Sequence, residues 1–174
     1  MNGGSIVVLG GARSGKSSFA ERLASESALA RVYIATATAD DDEMRARIAH
    51  HRARRHDGWS TVEEPLDLVP VLMREAVAGR AVVVDCLTLW LSNLMHAERD
   101  VDAAADRLAA WLPGAGGLVV LVSNEVGLGL VPDTPLGRRF RDAQGRLNQA
   151  VAAVADNAVF VAAGLPLWLK RSTL

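Results

Sequence analysis

The 174-residue sequence contains one cysteine, Cys86, which excludes an internal disulfide framework and a cysteine-ligated zinc site and suits a reducing compartment. It has no excess of either charge. A net charge of −1 gives no overall basic field for nucleic acid or an anionic membrane surface. No apolar run approaches the ~20 residues needed to span a bilayer. The N-terminus lacks a basic region followed by a long apolar stretch, so no signal peptide is expected and a cytoplasmic setting is. Trp59, Trp90, Trp111 and Trp168 are too scattered to form a stacking platform and read as packing residues. No repeat, low-complexity tract or long linker divides the chain, so residues 1–174 are expected to form one domain.

What the sequence does have is concentrated near its start. Ser5 to Leu9 is a strand-length run rich in β-branched residues. It enters the turn Gly10-Gly11-Ala12-Arg13-Ser14-Gly15-Lys16-Ser17, and a helix-like segment leaves it. The turn fits G-x-x-x-x-G-K-[ST], a phosphate loop in its proper strand–turn–helix setting. Glycines bring backbone N–H groups against phosphate oxygens, and the emerging helix adds the positive end of its dipole. Lys16 can reach the β- and γ-phosphates, and Ser17 can coordinate Mg²⁺. A bound nucleotide is therefore expected.

The rest of the chain alternates apolar runs with helical patterns. Strands are expected at Val32–Ala35, Ala81–Asp85, Leu118–Val122 and Ala158–Ala162, with a last short strand at Leu165–Leu169, antiparallel if present. Helices are expected at Ser17–Ser25, from Asp40 to His56, and at Leu66–Ala78, Leu87–His96, Val101–Trp111 and Leu136–Ala155. Trp59–Pro65 reads as an irregular or short extended link. The pattern predicts an α/β fold with a mainly parallel sheet and helices on both faces. Ligands bind beyond the carboxyl ends of such strands, which directs attention to Gly10–Ser17, Thr36, Asp85 and Ser123-Asn124-Glu125.

Asp85 ends an apolar strand, the position from which an acid holds Mg²⁺ or its water shell beside Ser17; the alternative is a helix cap. Asn124 and Glu125 could position a hydroxyl nucleophile, bind substrate or cap the loop that follows. Met44, Ile48, His51 and Arg55 fall on one helical stripe, whereas His50 turns away with Arg47 and Arg54. Arginines around a histidine suit an anion such as a nucleotide phosphate, although the composition also fits a solvated basic face. Arg138, Arg139, Arg141 and Arg146 read as a surface charge cluster.

Several stretches together resemble the bifunctional adenosylcobinamide kinase/adenosylcobinamide-phosphate guanylyltransferase family of cobalamin synthesis. They are Leu9–Ser17, Tyr33–Thr36, Asp42-Glu43-Met44 with Arg47-Ile48 and His51-Arg52, Val122–Pro132, and Phe140-Arg141-Asp142 with Gly145–Gln149. The resemblance covers nearly the whole chain, and its Asn-Glu-Val-Gly-x-Gly-x-Val-Pro stretch is more specific than a phosphate loop. It implies a P-loop NTPase, RecA-like fold and a ring-like homotrimer. It also implies two reactions: phosphorylation of the corrinoid's aminopropanol hydroxyl with ATP or GTP, then transfer of GMP from GTP through a guanylyl-histidine. On the matching residues, Gly10, Gly11, Ala12, Arg13, Ser14, Gly15, Lys16 and Ser17 would bind nucleotide phosphates. Ala35, Thr36 and Ala37 would line the same site, with Ala37 contributing main chain alone. The nucleotide-binding acids fall on Glu63 and Asp85, and the guanylylated histidine on His51. Arg52, Ala53, Arg54 and Arg55 would flank the guanylyl group. Asp85 stands where some relatives carry the longer Glu, so its contact with Mg²⁺ would run through water. Two readings compete with this one: a small-molecule kinase without nucleotidyl transfer, and a nucleotide-dependent switch protein. Turnover of adenosylcobinamide with GTP separates all three.

Overall fold

The computed structural model describes residues 3–38 and 58–172. In chain order its strands are β1 (Gly4–Gly10), β2 (Ala30–Ala35), β3 (Trp59–Glu63), β4 (Arg80–Asp85), β5 (Leu118–Asn124), β6 (Asn157–Ala162) and β7 (Leu165–Lys170). The described helices are α1 (Lys16–Glu26), α2 (Leu68–Glu75), α3 (Leu87–His96), α4 (Val101–Trp111) and α5 (Pro135–Val154), with a 3₁₀ turn at Leu112–Gly114. The strands form one seven-stranded sheet in the order β3-β2-β4-β5-β1-β6-β7. All neighbours run parallel except β7, which returns antiparallel to β6.

Alternation along the central strands makes two cores. Val7, Leu9, Ile34, Val82, Val84, Val119 and Leu121 point to one face, where helices α2 to α5 cover them. Val8, Tyr33, Val83, Val120, Val122 and Val159 point to the other, against Phe19, Ala20 and Ala24 of α1. A strand buried on both faces reads as a continuous apolar run, which is why β4 and β5 stand out in the sequence. The expected α/β sheet with helices on both faces is present. The four tryptophans pack in separate places: Trp90 is buried with its indole N–H on Leu66 O at 2.8 Å, and Trp168 lies edge-on to Phe19.

Two boundaries differ from expectation. Trp59–Glu63 is an edge strand paired with β2, where an irregular or short extended link was expected. Its residues are half-buried or exposed, so it carries no apolar run to betray it. Helix α2 is shorter than Leu66–Ala78, because Glu64 Oε1 takes the N–H groups of Leu66 and Asp67 at 2.9 and 2.8 Å and holds a turn there. The helix expected from Asp40 to His56 lies outside the described residues.

Candidate functional site

The site is built at the carboxyl edge of the sheet, where β1 turns into α1. Gly10 has φ +152°, and a Cβ there would stand 2.3 Å from Val161 O and 2.8 Å from Ser14 Oγ. Only glycine lets the loop leave the strand so close to β6. Gly15, at φ +99°, caps α1 without a side chain, so the first N–H groups of the helix keep their capacity for an anion. The loop is gripped from both sides. Glu125 donates its N–H to Gly10 O at 2.9 Å from the end of β5, and Gly164 donates to Ser14 O at 2.8 Å from the β6–β7 turn.

Lys16 is buried at the first position of α1, and its Nζ donates to Gly11 O and lies 3.5 Å from Ser14 Oγ. The ammonium thus closes onto the concave side of its own loop. Burial lowers its pKa, against the opposing pull of Cys86 and Asp85. Burial raises the Cys86 thiol to about 12. Asp85 accepts from Tyr33 Oη at 2.8 Å, which fixes one carboxylate oxygen. Ser17 lies half-exposed on the first turn of α1. This donor set is all oxygen and suits a hard cation that takes its remaining ligands from phosphate and water. Among the described residues no group of three or more His, Cys, Asp or Glu forms a cation cage.

The sheet sets the other expected residues in a row. Glu63, Ala35 and Asp85 are in register on β3, β2 and β4, and parallel pairing puts their side chains on the α1 face. Thr36 is fully buried, and its hydroxyl both donates to Cys86 O (2.7 Å) and accepts from Cys86 N–H (2.8 Å). Its side chain therefore ties the end of β2 to the end of β4. Asn93 of α3 adds a bond to Thr36 O at 2.7 Å. Ala12 and Arg13 are exposed at the tip of the loop, and Ala37 is half-exposed just beyond Thr36. His51 and Arg52, Ala53, Arg54 and Arg55 lie outside the described residues.

Beneath Asn124 is a polar network that the sequence did not announce. Gln144 Nε2 donates to Ser123 Oγ and to Asn148 Oδ1, each at 2.9 Å, and Ser123 donates to Asn148 Oδ1 at 2.7 Å. Asn148 Nδ2 reaches Asn124 O at 3.1 Å, and Thr88 accepts from Asn124 N–H at 2.8 Å. The one available signal was an amide pair at i and i+4 beside Ala143, Leu147 and Val151, on the apolar side of α5. The α5 arginines, by contrast, behave as surface charges: Arg146 pairs with Asp102 of α4 and Arg141 with Asp142.

Comparison with known proteins places this arrangement. The sequence profile of a family described as cobinamide kinase / cobinamide phosphate guanyltransferase matches residues 6–169. The bifunctional adenosylcobalamin biosynthesis protein CobP of Pseudomonas aeruginosa is 52% identical over 97% of this chain and 98% of its own. The bifunctional adenosylcobalamin biosynthesis protein CobU of Escherichia coli is 38% identical over 95% and 99%. Among solved structures, an ATPase of a bacterial type III secretion system matches with TM-score 0.58 at 10% identity, over 95% of this chain and 56% of that one. The flagellar accessory protein FlaH of Methanocaldococcus jannaschii matches with TM-score 0.53 at 12% identity, over 97% and 79%. At such identities the likeness is one of fold, and the fold is that of the P-loop NTPases.

Proposed function

This chain belongs to the cobinamide kinase / cobinamide phosphate guanyltransferase family, and we propose that one domain, residues 1–174, carries both reactions. The enzyme phosphorylates adenosylcobinamide with ATP or GTP and then transfers GMP from GTP to the corrinoid phosphate. The observation that carries the kinase half is the phosphate loop held between β5 and the β6–β7 turn, with the buried Lys16 turned onto Gly11 O inside it. Residues Gly10–Ser17 cradle the nucleotide phosphates. Lys16 exchanges Gly11 O for phosphate oxygen and offsets the charge that builds up during transfer. Ser17 and Asp85 would hold Mg²⁺, which when bound neutralises phosphate charge. Tyr33 keeps the carboxylate aimed. The aminopropanol hydroxyl attacks the γ-phosphorus, and the nucleoside diphosphate leaves.

In the transferase half, a neutral ring nitrogen of His51 attacks the α-phosphorus of GTP, and the bond to pyrophosphate breaks. A phosphate oxygen of the corrinoid then attacks the same phosphorus, the P–N bond breaks and adenosylcobinamide-GDP leaves. Arg52, Ala53, Arg54 and Arg55 flank the guanylyl group. Glu63 and Ala35–Ala37 hold the rest of the nucleotide at the outer strands. We place the enzyme in the cytoplasm; among the described residues no helix is long and apolar enough to cross a membrane. We also propose the homotrimer that the family resemblance implies; β7 is an edge strand whose Leu165, Leu167 and Leu169 are exposed on alternate positions, a surface that suits another copy of the chain. The test uses α-labelled GTP. Wild type should retain label through an acid-labile, alkali-stable bond, His51→Ala should lose it and His50→Ala should keep it. Guanylyl transfer without covalent label would overturn the intermediate.

A further inference from the structure

We propose that the loop between β5 and α5 is the platform on which the corrin ring of the acceptor lies; this rests on the function above. The acceptor hydroxyl must meet a γ-phosphate held between Lys16 and Asp85. Lys16 follows β1, and Asp85 ends β4 on the far side of β5. The transferring end of the nucleotide therefore points across β5, away from β6 and β7. A corrinoid is far larger than its reacting arm, and methyl groups stand around its ring between the amide side chains. It needs an apolar support on that side of the carboxyl edge.

Among the described residues, only one segment there exposes large apolar side chains. Leu128 is 81% exposed, Leu130 96%, Val131 62% and Leu136, on the first turn of α5, 61%. The loop is continuous with the phosphate site, because Glu125 at its start is bonded to Gly10 O. Polar side chains at its two ends bond the loop's own backbone. Glu125 Oε1 accepts from Gly127 N–H at 2.6 Å, Thr134 Oγ1 from Gly137 N–H at 3.1 Å, and Arg138 donates to Pro132 O and Asp133 O at 3.0 and 2.8 Å. A surface loop ordinarily does the reverse. This one is pinned at both ends by its polar atoms and spends its apolar side chains outward. The pinning lowers the ordering cost of binding a large, rigid ring.

The experiment uses the full chain with Leu128, Leu130 and Val131 all changed to Ser, and Leu130→Met as the conservative control. Corrinoid binding is read by equilibrium dialysis from the ligand's own visible absorbance. It is read alongside KM for adenosylcobinamide and for ATP, and mass by light scattering. The triple variant should weaken corrinoid binding by about 30-fold or more, whereas Leu130→Met should stay within about threefold. KM for ATP and the mass should not change. Unchanged corrinoid affinity overturns the platform. A change of mass that accompanies the loss also overturns it, because the loop would then be covered by a second copy of the chain. A wild type that binds corrinoid through these residues but never phosphorylates it would support the platform while rejecting the kinase reading.

Discussion

Replacing Thr36 by valine separates two roles that the sequence alone merges. The side chains have nearly the same shape, so the change removes a hydroxyl and leaves little cavity. That hydroxyl donates to the Cys86 C=O at 2.7 Å and is the acceptor for the Cys86 N–H at 2.8 Å, in a position with no exposure to water. Cys86 O keeps the N–H of Trp90 at 3.1 Å, so only the Cys86 N–H loses its partner, at a cost of about 2 kcal/mol. With an unfolding entropy of about 2.1 cal/mol/K per residue over 174 residues, that is a fall in Tm of about 5 °C. Circular dichroism melting of wild type, Thr36→Val and Thr36→Ser measures it. Serine keeps the hydroxyl and should recover most of the loss. If Thr36→Val instead melts with wild type and only raises KM for nucleotide, the hydroxyl serves a ligand and the clamp between β2 and β4 is refuted.

Lys16→Met should abolish the kinase step yet raise the Tm of the nucleotide-free protein, because burial lowers the lysine's pKa below that of the unfolded chain. The unfolded state then binds the extra proton, so the stability deficit of wild type against Lys16→Met is full below the lowered pKa and fades as pH rises to 10.5; a constant difference across that window would contradict it. Cys86, buried and raised to about 12, should resist iodoacetamide at pH 8 in the folded protein and react on unfolding in urea; rapid native alkylation would contradict its placement.

The phosphate loop was legible because its chemistry is local: strand, turn and helix are consecutive, and each residue type has a task that neighbours alone define. Helices α3 and α4 matched their expected bounds for the same reason. Asp100, whose carboxylate accepts from Ala103 N–H, punctuates the chain just before α4. What could not be read depends on pairing distant residues. Thr36 reads as an edge residue facing ligand until its partner, Cys86, is known to lie beside it at the end of the neighbouring strand. Gln144 and Asn148 share the apolar side of α5, but nothing local says that their amides meet Ser123 across the core. Strand β3 has an edge position and so never needed the apolar run that marks a central strand.

Strand order also decides how the two acids divide the work. At about 4.8 Å per strand, β4 stands about 10 Å from β1, and β3 about 19 Å. Asp85 is near enough to act through a hydrated cation on phosphates held by the loop. Glu63, level with it but two strands further out, is not. On the proposed function Glu63 serves the guanylyl donor alone, whereas Asp85 stands between the two ends of the row. Glu63→Ala should therefore raise KM for GTP in the transferase step by about tenfold or more, the loss expected when a charged hydrogen bond goes. ATP-dependent phosphorylation of adenosylcobinamide should be unchanged in that variant. Asp85→Asn should depress the kinase step strongly and recover in part at higher Mg²⁺. Initial rates of the two half-reactions, measured separately on each variant, check both expectations. A Glu63 variant that slows the kinase as much as the transferase would mean that one nucleotide spans the whole row, and the division of labour between the acids would fall.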